Sequence, residues 1–187
     1  MQEENPKQAT LDQRYLRMAR IWAENSYCRR RKVGALVVKE KMIISDGYNG
    51  TPSGFENVCE DDNNVTKPYV LHAEANAITK LARSSNNSDG ATLYVTSSPC
   101  IECSKLSIQA GIKRVVYDEQ YRLDDGIQLL RRAGIEVVHM PIEGSHMPID
   151  GSHMPIEGSH MPIEGSHMPI EGSHMPIDED KDKQKQG

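Results

Sequence analysis

Aromatic residues are scarce in this chain: one Trp, one Phe and seven Tyr in 187 residues, with none after Tyr121. Apolar residues of all kinds reach only 37%. Large apolar side chains supply most of a core's stabilisation. The part of the chain that lacks them is therefore expected outside the globular unit. Long apolar runs are also missing. None approaches the ~18–20 residues needed to cross a bilayer, so no membrane association is expected. The opening stretch MQEENPKQAT has neither the basic start nor the apolar centre of a secretion signal. Only four cysteines occur, Cys28, Cys59, Cys100 and Cys103. That is too few for a secreted disulfide scaffold of this size. These shortages predict a cytoplasmic protein that uses some of its thiols as metal ligands.

Basic charge is not in excess either. The chain has 22 Lys and Arg against 27 Asp and Glu, net −5. Nine of the acids and three of the bases lie in residues 139–187, so residues 1–138 are close to neutral, at net +1. A near-neutral body excludes broad nucleic-acid binding by phosphate neutralisation. It leaves room for a small anionic ligand held by a few local groups.

Residues 139–187 are repetitive. The heptad HMPIEGS begins at His139 and recurs from His146, His153, His160 and His167, ending with HMPID at His174 and varying only between Glu and Asp. A proline every seventh residue forbids a continuous helix, and Met and Ile alone bury too little to fold. The reading is a catalytic-size domain over 1–138 followed by a disordered low-complexity tail over 139–187. A sharper alternative is metal chelation by the six His–Met pairs.

Within 1–138 the pattern alternates. Residues 11–25 place Leu11, Tyr15, Met18, Ile21 and Trp22 at helical spacing. Lys32 to Val38 and Met42 to Ser45 read as paired strands about a short turn. Residues 46–70, rich in Gly, Asn, Asp and Pro, read as loop. His72 to Arg83 is a helix, Ala91 to Thr96 a strand, and Cys100 to Ala110 a helix closed by Gly111. Arg114 to Tyr117 is a strand, Gly126 to Arg132 a helix closed by Gly134, and Ile135 to Val138 a last strand. Such alternation predicts an α/β sheet layered with helices.

The chemistry concentrates at two helix starts. His72-Ala73-Glu74 opens one; Pro99-Cys100-Ile101-Glu102-Cys103 opens the other. Cysteines three apart on a helix face the same side, and the positive helix N-terminus favours thiolate. Two thiolates and one imidazole fill three of zinc's four tetrahedral positions and leave the fourth for water. Zinc acidifies that water, and Glu74, two residues beyond a ligand, can take and pass on its proton. The pattern H-x-E with P-C-x-x-C is the signature of zinc nucleobase deaminases.

With those residues in place, HAEANAI, TSSPCIEC and QAGIKRVVY resemble the zinc-dependent cytidine/deoxycytidylate deaminases, over roughly residues 11–138. GYNGTPSGF at 47–55 is similar to the deoxycytidylate branch. The resemblance implies a three-layer α-β-α fold with a mixed five-stranded sheet and one catalytic Zn2+ per chain. It implies attack of a zinc-bound water on C4 of dCMP, with Glu74 as proton shuttle, giving dUMP and ammonia for thymidylate synthesis. His72, Cys100 and Cys103 would hold zinc, Asn49 would contact the nucleotide, and Tyr121 would lie near its sugar and phosphate. A homo-oligomer is implied, with dCTP and dTTP as effectors contacting residues 46–70.

Alternatives are deamination of another base, such as transfer-RNA adenosine or cytidine, and a non-catalytic relative. Ser107 departs from the family pattern, where an aliphatic residue is usual, and should affect packing. Arg29, Arg30, Arg31 and Lys32 form a basic run, of which one or two could meet a 5′-phosphate; a solvated face is the other reading. Some relatives hold a second zinc through cysteines placed like Cys28 and Cys59. Here Val70 stands where a Glu is expected, so two plain buried thiols are the expectation.

Overall fold

The structure is a computed structural model and describes residues 6–142. The heptad copies from residue 146 on, and with them most of the expected tail, lie outside the described residues. The elements follow the order α1 (Pro6–Ala23), β1 (Gly34–Lys39), β2 (Met42–Tyr48), α2 (Ala73–Leu81), β3 (Thr92–Ser97), α3 (Ile101–Gln109), β4 (Arg114–Glu119), α4 (Asp125–Arg132) and β5 (Glu136–His139). The strands form one mixed sheet in the order β2-β1-β3-β4-β5. β1 runs antiparallel to both β2 and β3, while β3, β4 and β5 are parallel.

Local chemistry explains this pairing. β1 and β2 are joined through Glu40 and Lys41, both at positive φ, as a two-residue hairpin of matching twist requires. The parallel strands need crossovers, and α3 and α4 supply them. Both helices stop where expected, with Gly111 and Gly134 in the left-handed region just beyond.

The sheet is covered on both faces, which makes three layers. On one face Leu81 of α2 and Ile127 and Leu130 of α4 pack on Val37, Leu93, Val95 and Val115. On the other, Leu16 and Ala19 of α1 pack on Leu36, Val38, Tyr94 and Val116, joined by Ile142. Each fully buried Leu or Val contributes on the order of 1.5–3 kcal/mol.

α1 turns a different face inward from the one its apolar spacing predicts. Asp12, Leu16, Ala19 and Ala23 are buried, whereas Met18, Ile21 and Trp22 are 43%, 62% and 38% exposed. Small alanines let the helix lie close to the sheet. Asp12 is tolerated inside because Arg114 binds both its carboxylate oxygens at 2.9 and 2.7 Å and Tyr94 donates to it at 2.6 Å.

Residues His139 to Ile142, the described part of the first heptad, take part in the fold. His139 ends β5 and stacks on Tyr117, with ring centroids 4.8 Å apart. Ile142 is buried, and its N–H donates to Asp118 at 2.9 Å. Asp118 is held in turn by Arg20 of α1.

Candidate active site

β3 and β4 end together, and the start of α3 follows β3 directly. The start of α2 comes beside it because α2 packs on β1 and β2. Gly47 of β2 makes this packing close: a Cβ there would stand 2.6 Å from the Ala77 nitrogen. His72 and Cys100 are thus the N-cap residues of α2 and α3, and neither side chain caps its own helix. Both turn instead toward a common point.

At that point Nδ1 of His72 lies 3.4 Å from Cys100 Sγ and 3.5 Å from Cys103 Sγ. The three ligand atoms all lie within 4.8 Å of one another. Tetrahedral zinc with bonds of ~2.3 Å to sulfur and ~2.0–2.1 Å to nitrogen sets an S···N edge of about 3.6 Å. The residues fit the ion, in donor type and in spacing. Cys103 is buried and Cys100 half-buried, so the centre opens on the His72 and Cys100 side. The hydrogen bond between the sulfurs draws Cys100 down and pushes Cys103 up, with His72 also lowering Cys100. Hydrogen bonding to Cys100 raises His72, against the effect of burial.

Glu74, in the first turn of α2, is buried at 4% exposure. Burial pushes its carboxyl up to about 7, against the opposing pull of its own backbone N–H and of His72. A carboxyl of that pKa exchanges its proton readily at neutral pH.

A cavity of about 350 Å3 lies over this centre. His72, Glu74, Cys100, Asn49 and Tyr121 all line it, so five of the six residues singled out from the sequence share one cavity; the sixth, Cys103, is buried. Asn49 Oδ1 accepts the Val33 N–H at 2.7 Å, and Nδ2 donates to the Arg31 carbonyl at 2.9 Å. Tyr121 stands at the rim, with its N–H donated to Ser98 Oγ at 2.8 Å and Arg31 over its ring at 5.4 Å. Ser107, one turn beyond Cys103, is fully buried and satisfies its hydroxyl on the Cys103 carbonyl at 2.9 Å.

The expectation for Cys28 and Cys59 is corrected. They are neither free thiols nor a second metal site: they form a disulfide across 31 residues, with Cα atoms 5.0 Å apart. The loop 46–70 folds back on the segment after α1, which brings together two cysteines that sequence spacing cannot pair. The basic run is also sorted. Arg29 pairs with Glu60 at 3.6 Å and Arg31 with Glu119 at 2.6 Å, while Arg30 reaches the neutral Thr66 hydroxyl at 3.2 Å. Glu60, Thr66 and Arg122 line the cavity without any motif in the sequence having marked them.

Fold and centre together define a zinc-binding protein of the layered α/β class. The family model for the cytidine and deoxycytidylate deaminase zinc-binding region matches residues 9–119, and the chain belongs to this family. It is 37% identical over 136 residues to the deoxycytidylate deaminase of Saccharomyces cerevisiae, across 67% of this chain and 43% of that one. It is 36% identical over 138 residues to ComE operon protein 2 of Bacillus subtilis, across 71% and 72%. The crystal structure of dCMP deaminase from cyanophage S-TIM5 in complex with dCMP and dUMP matches with a TM-score of 0.69 at 46% identity. That match covers 74% of this chain and 100% of the cyanophage chain. The chain therefore spans less than half the length of the yeast relative.

Among the described residues no helix is long and apolar enough to cross a membrane.

Proposed function

We propose that this chain is a zinc-dependent dCMP deaminase, hydrolysing dCMP to dUMP and ammonia and so supplying dUMP for thymidylate synthesis. One observation carries the reading. A His72–Cys100–Cys103 centre with zinc spacing, backed by buried Glu74, opens on a nucleotide-sized cavity. The likeness to the cyanophage enzyme, whose structure holds dCMP and dUMP, supports the substrate.

His72, Cys100 and Cys103 are the residues that would hold the ion, and zinc there supplies Lewis acidity that lowers the pKa of a water toward ~7. Glu74 moves the protons. Its carboxylate takes one proton from the attacking water and delivers it to N3 of the pyrimidine, then takes the second from the new C4 hydroxyl and delivers it to the departing amine. The new C4–O bond replaces the C4–N bond, and ammonia leaves. Burial keeps bulk water from competing for the Glu74 proton. Asn49 keeps one amide hydrogen free of the backbone for the nucleotide, and Tyr121 closes the rim beside the sugar.

Glu74→Gln should retain about one zinc per chain by atomic absorption and lose at least a hundredfold in dCMP turnover. Turnover near the wild-type rate would overturn the assignment.

We read the protein as a cytoplasmic homo-oligomer. The exposed apolar residues Met18, Ile21 and Trp22 on α1, with Met42 and Ile43 on β2, support self-association. Loop 46–70 reaches the cavity wall through Asn49, Glu60 and Thr66, which supports its role as the region a dCTP or dTTP effector would touch.

A further inference from the structure

Three guanidinium groups stand around the cavity: Arg30, Arg31 and Arg122. Arg31 is spoken for, because its charge is met by Glu119 at 2.6 Å and its plane rests over Tyr121. Arg30 meets only a neutral hydroxyl, that of Thr66. Arg122 meets no carboxylate among the described residues. Two unneutralised cations therefore face the mouth of a cavity whose floor carries the His72 and Glu74 chemistry. A neutral nucleoside gives them nothing to bind; a phosphate monoester gives them two charges and three acceptor oxygens.

Arg30 is also held in place. Glu60 is buried at 3% exposure, and its carboxylate accepts the backbone N–H groups of Arg29 at 3.0 Å and Arg30 at 3.1 Å. The neighbouring Cys28–Cys59 disulfide fastens the same two segments. The turn that carries Arg30 is thus fixed by a buried anion acting on backbone amides. The Arg30 side chain, bonded to the Thr66 hydroxyl, lines the cavity from this turn. Glu60 itself is kept ionised: burial works to raise its pKa, but the two amides and Arg29 outweigh it.

We propose that Arg30 and Arg122 bind the 5′-phosphate and set the preference for a nucleotide over a nucleoside, with Glu60 as the positioning residue for Arg30. The inference rests on the dCMP reading above and names which groups read the phosphate.

The test measures kcat and KM for dCMP and for deoxycytidine with the zinc-loaded full chain. Arg30→Ala and Arg122→Ala should each lower the ratio of kcat/KM for dCMP to that for deoxycytidine by about ten- to a hundredfold, the scale of one charge-assisted hydrogen bond. The loss should fall on KM for dCMP rather than on kcat. Glu60→Gln, which still accepts one amide, should shift the same ratio severalfold, and Glu60→Ala further. A merely structural role for Glu60 would lower both substrates alike and leave the ratio unmoved, which would overturn its assignment. An unchanged ratio in both arginine variants would overturn the phosphate site while leaving dCMP deamination intact. A shift with Arg122→Ala alone would remove Arg30 and Glu60 from it. Wild-type protein that turns over no dCMP would instead remove the reading on which the inference rests.

Discussion

The Asn49 side chain accepts the Val33 N–H through Oδ1 at 2.7 Å. With Nδ2 donated to the Arg31 carbonyl, it ties the end of β2 to the segment before β1 that carries Arg30 and Arg31. Asn49 is therefore as much a strut as a contact. Asn49→Ala should leave the Val33 amide without a partner and cost about 1–3 kcal/mol of stability. KM for dCMP should rise in the same variant. Urea unfolding and steady-state kinetics on one preparation check both, and an unchanged midpoint would show that the strut is dispensable.

Gly47 meets α2 where a side chain has no room. Gly47→Ala should push the helix away from β2 and carry His72 with it, lowering the melting temperature by an overpacking cost of about 1–3 kcal/mol. Zinc content should fall alongside, because His72 occupies the N-cap position of that helix. Full zinc retention with an unchanged melting temperature would mean the backbone absorbs the added methyl without moving the ligand.

Asp12 is 1% exposed and faces Arg114. Asp12→Ala leaves Arg114 with Glu136 alone, at 2.9 Å, and takes the partner from the buried Tyr94 hydroxyl, and should cost about 1–3 kcal/mol. Acid should act through the same group. Burial would raise the Asp12 pKa, yet the hydrogen bonds from Arg114, Tyr94 and Gln8 hold it below its ordinary value of 3.8. A depressed folded-state pKa stabilises fully above the unfolded value and loses that contribution as pH falls through the folded one. The wild-type urea midpoint should therefore drop as pH falls below about 3.8. This part of the drop should be missing in Asp12→Ala, and equal pH slopes in the two proteins would contradict the account.

The metal centre was legible in the sequence because its information is local. Cys100 and Cys103 share a helix face, His72 and Glu74 share a helix start, and the spacing alone restricts what such residues can do. The strands and helices were legible for the same reason, since their periods and the closing glycines at 111 and 134 act over a few residues. Two features were not. The spacing of Leu11, Tyr15, Met18, Ile21 and Trp22 marks a helix but not its buried face. That face is set by how closely Ala19 and Ala23 allow α1 to approach and by a partner for Asp12 about a hundred residues away. The join between Cys28 and Cys59 likewise depends on a loop closing over 31 residues, for which no short-range signal exists.

Residue order alone was enough to specify the ligand types, the carboxyl of Glu74 beside them and the alternation of strand and helix. Each of these follows from side-chain chemistry and repeat distance within one element. Only the folded chain decided that Asn49 and Tyr121 share a cavity with them, that among the described residues Arg31 meets a carboxylate while Arg30 and Arg122 do not, and that Glu60 grips a distant backbone turn. Those outcomes depend on distances between elements far apart in the chain, which sheet order and helix packing set.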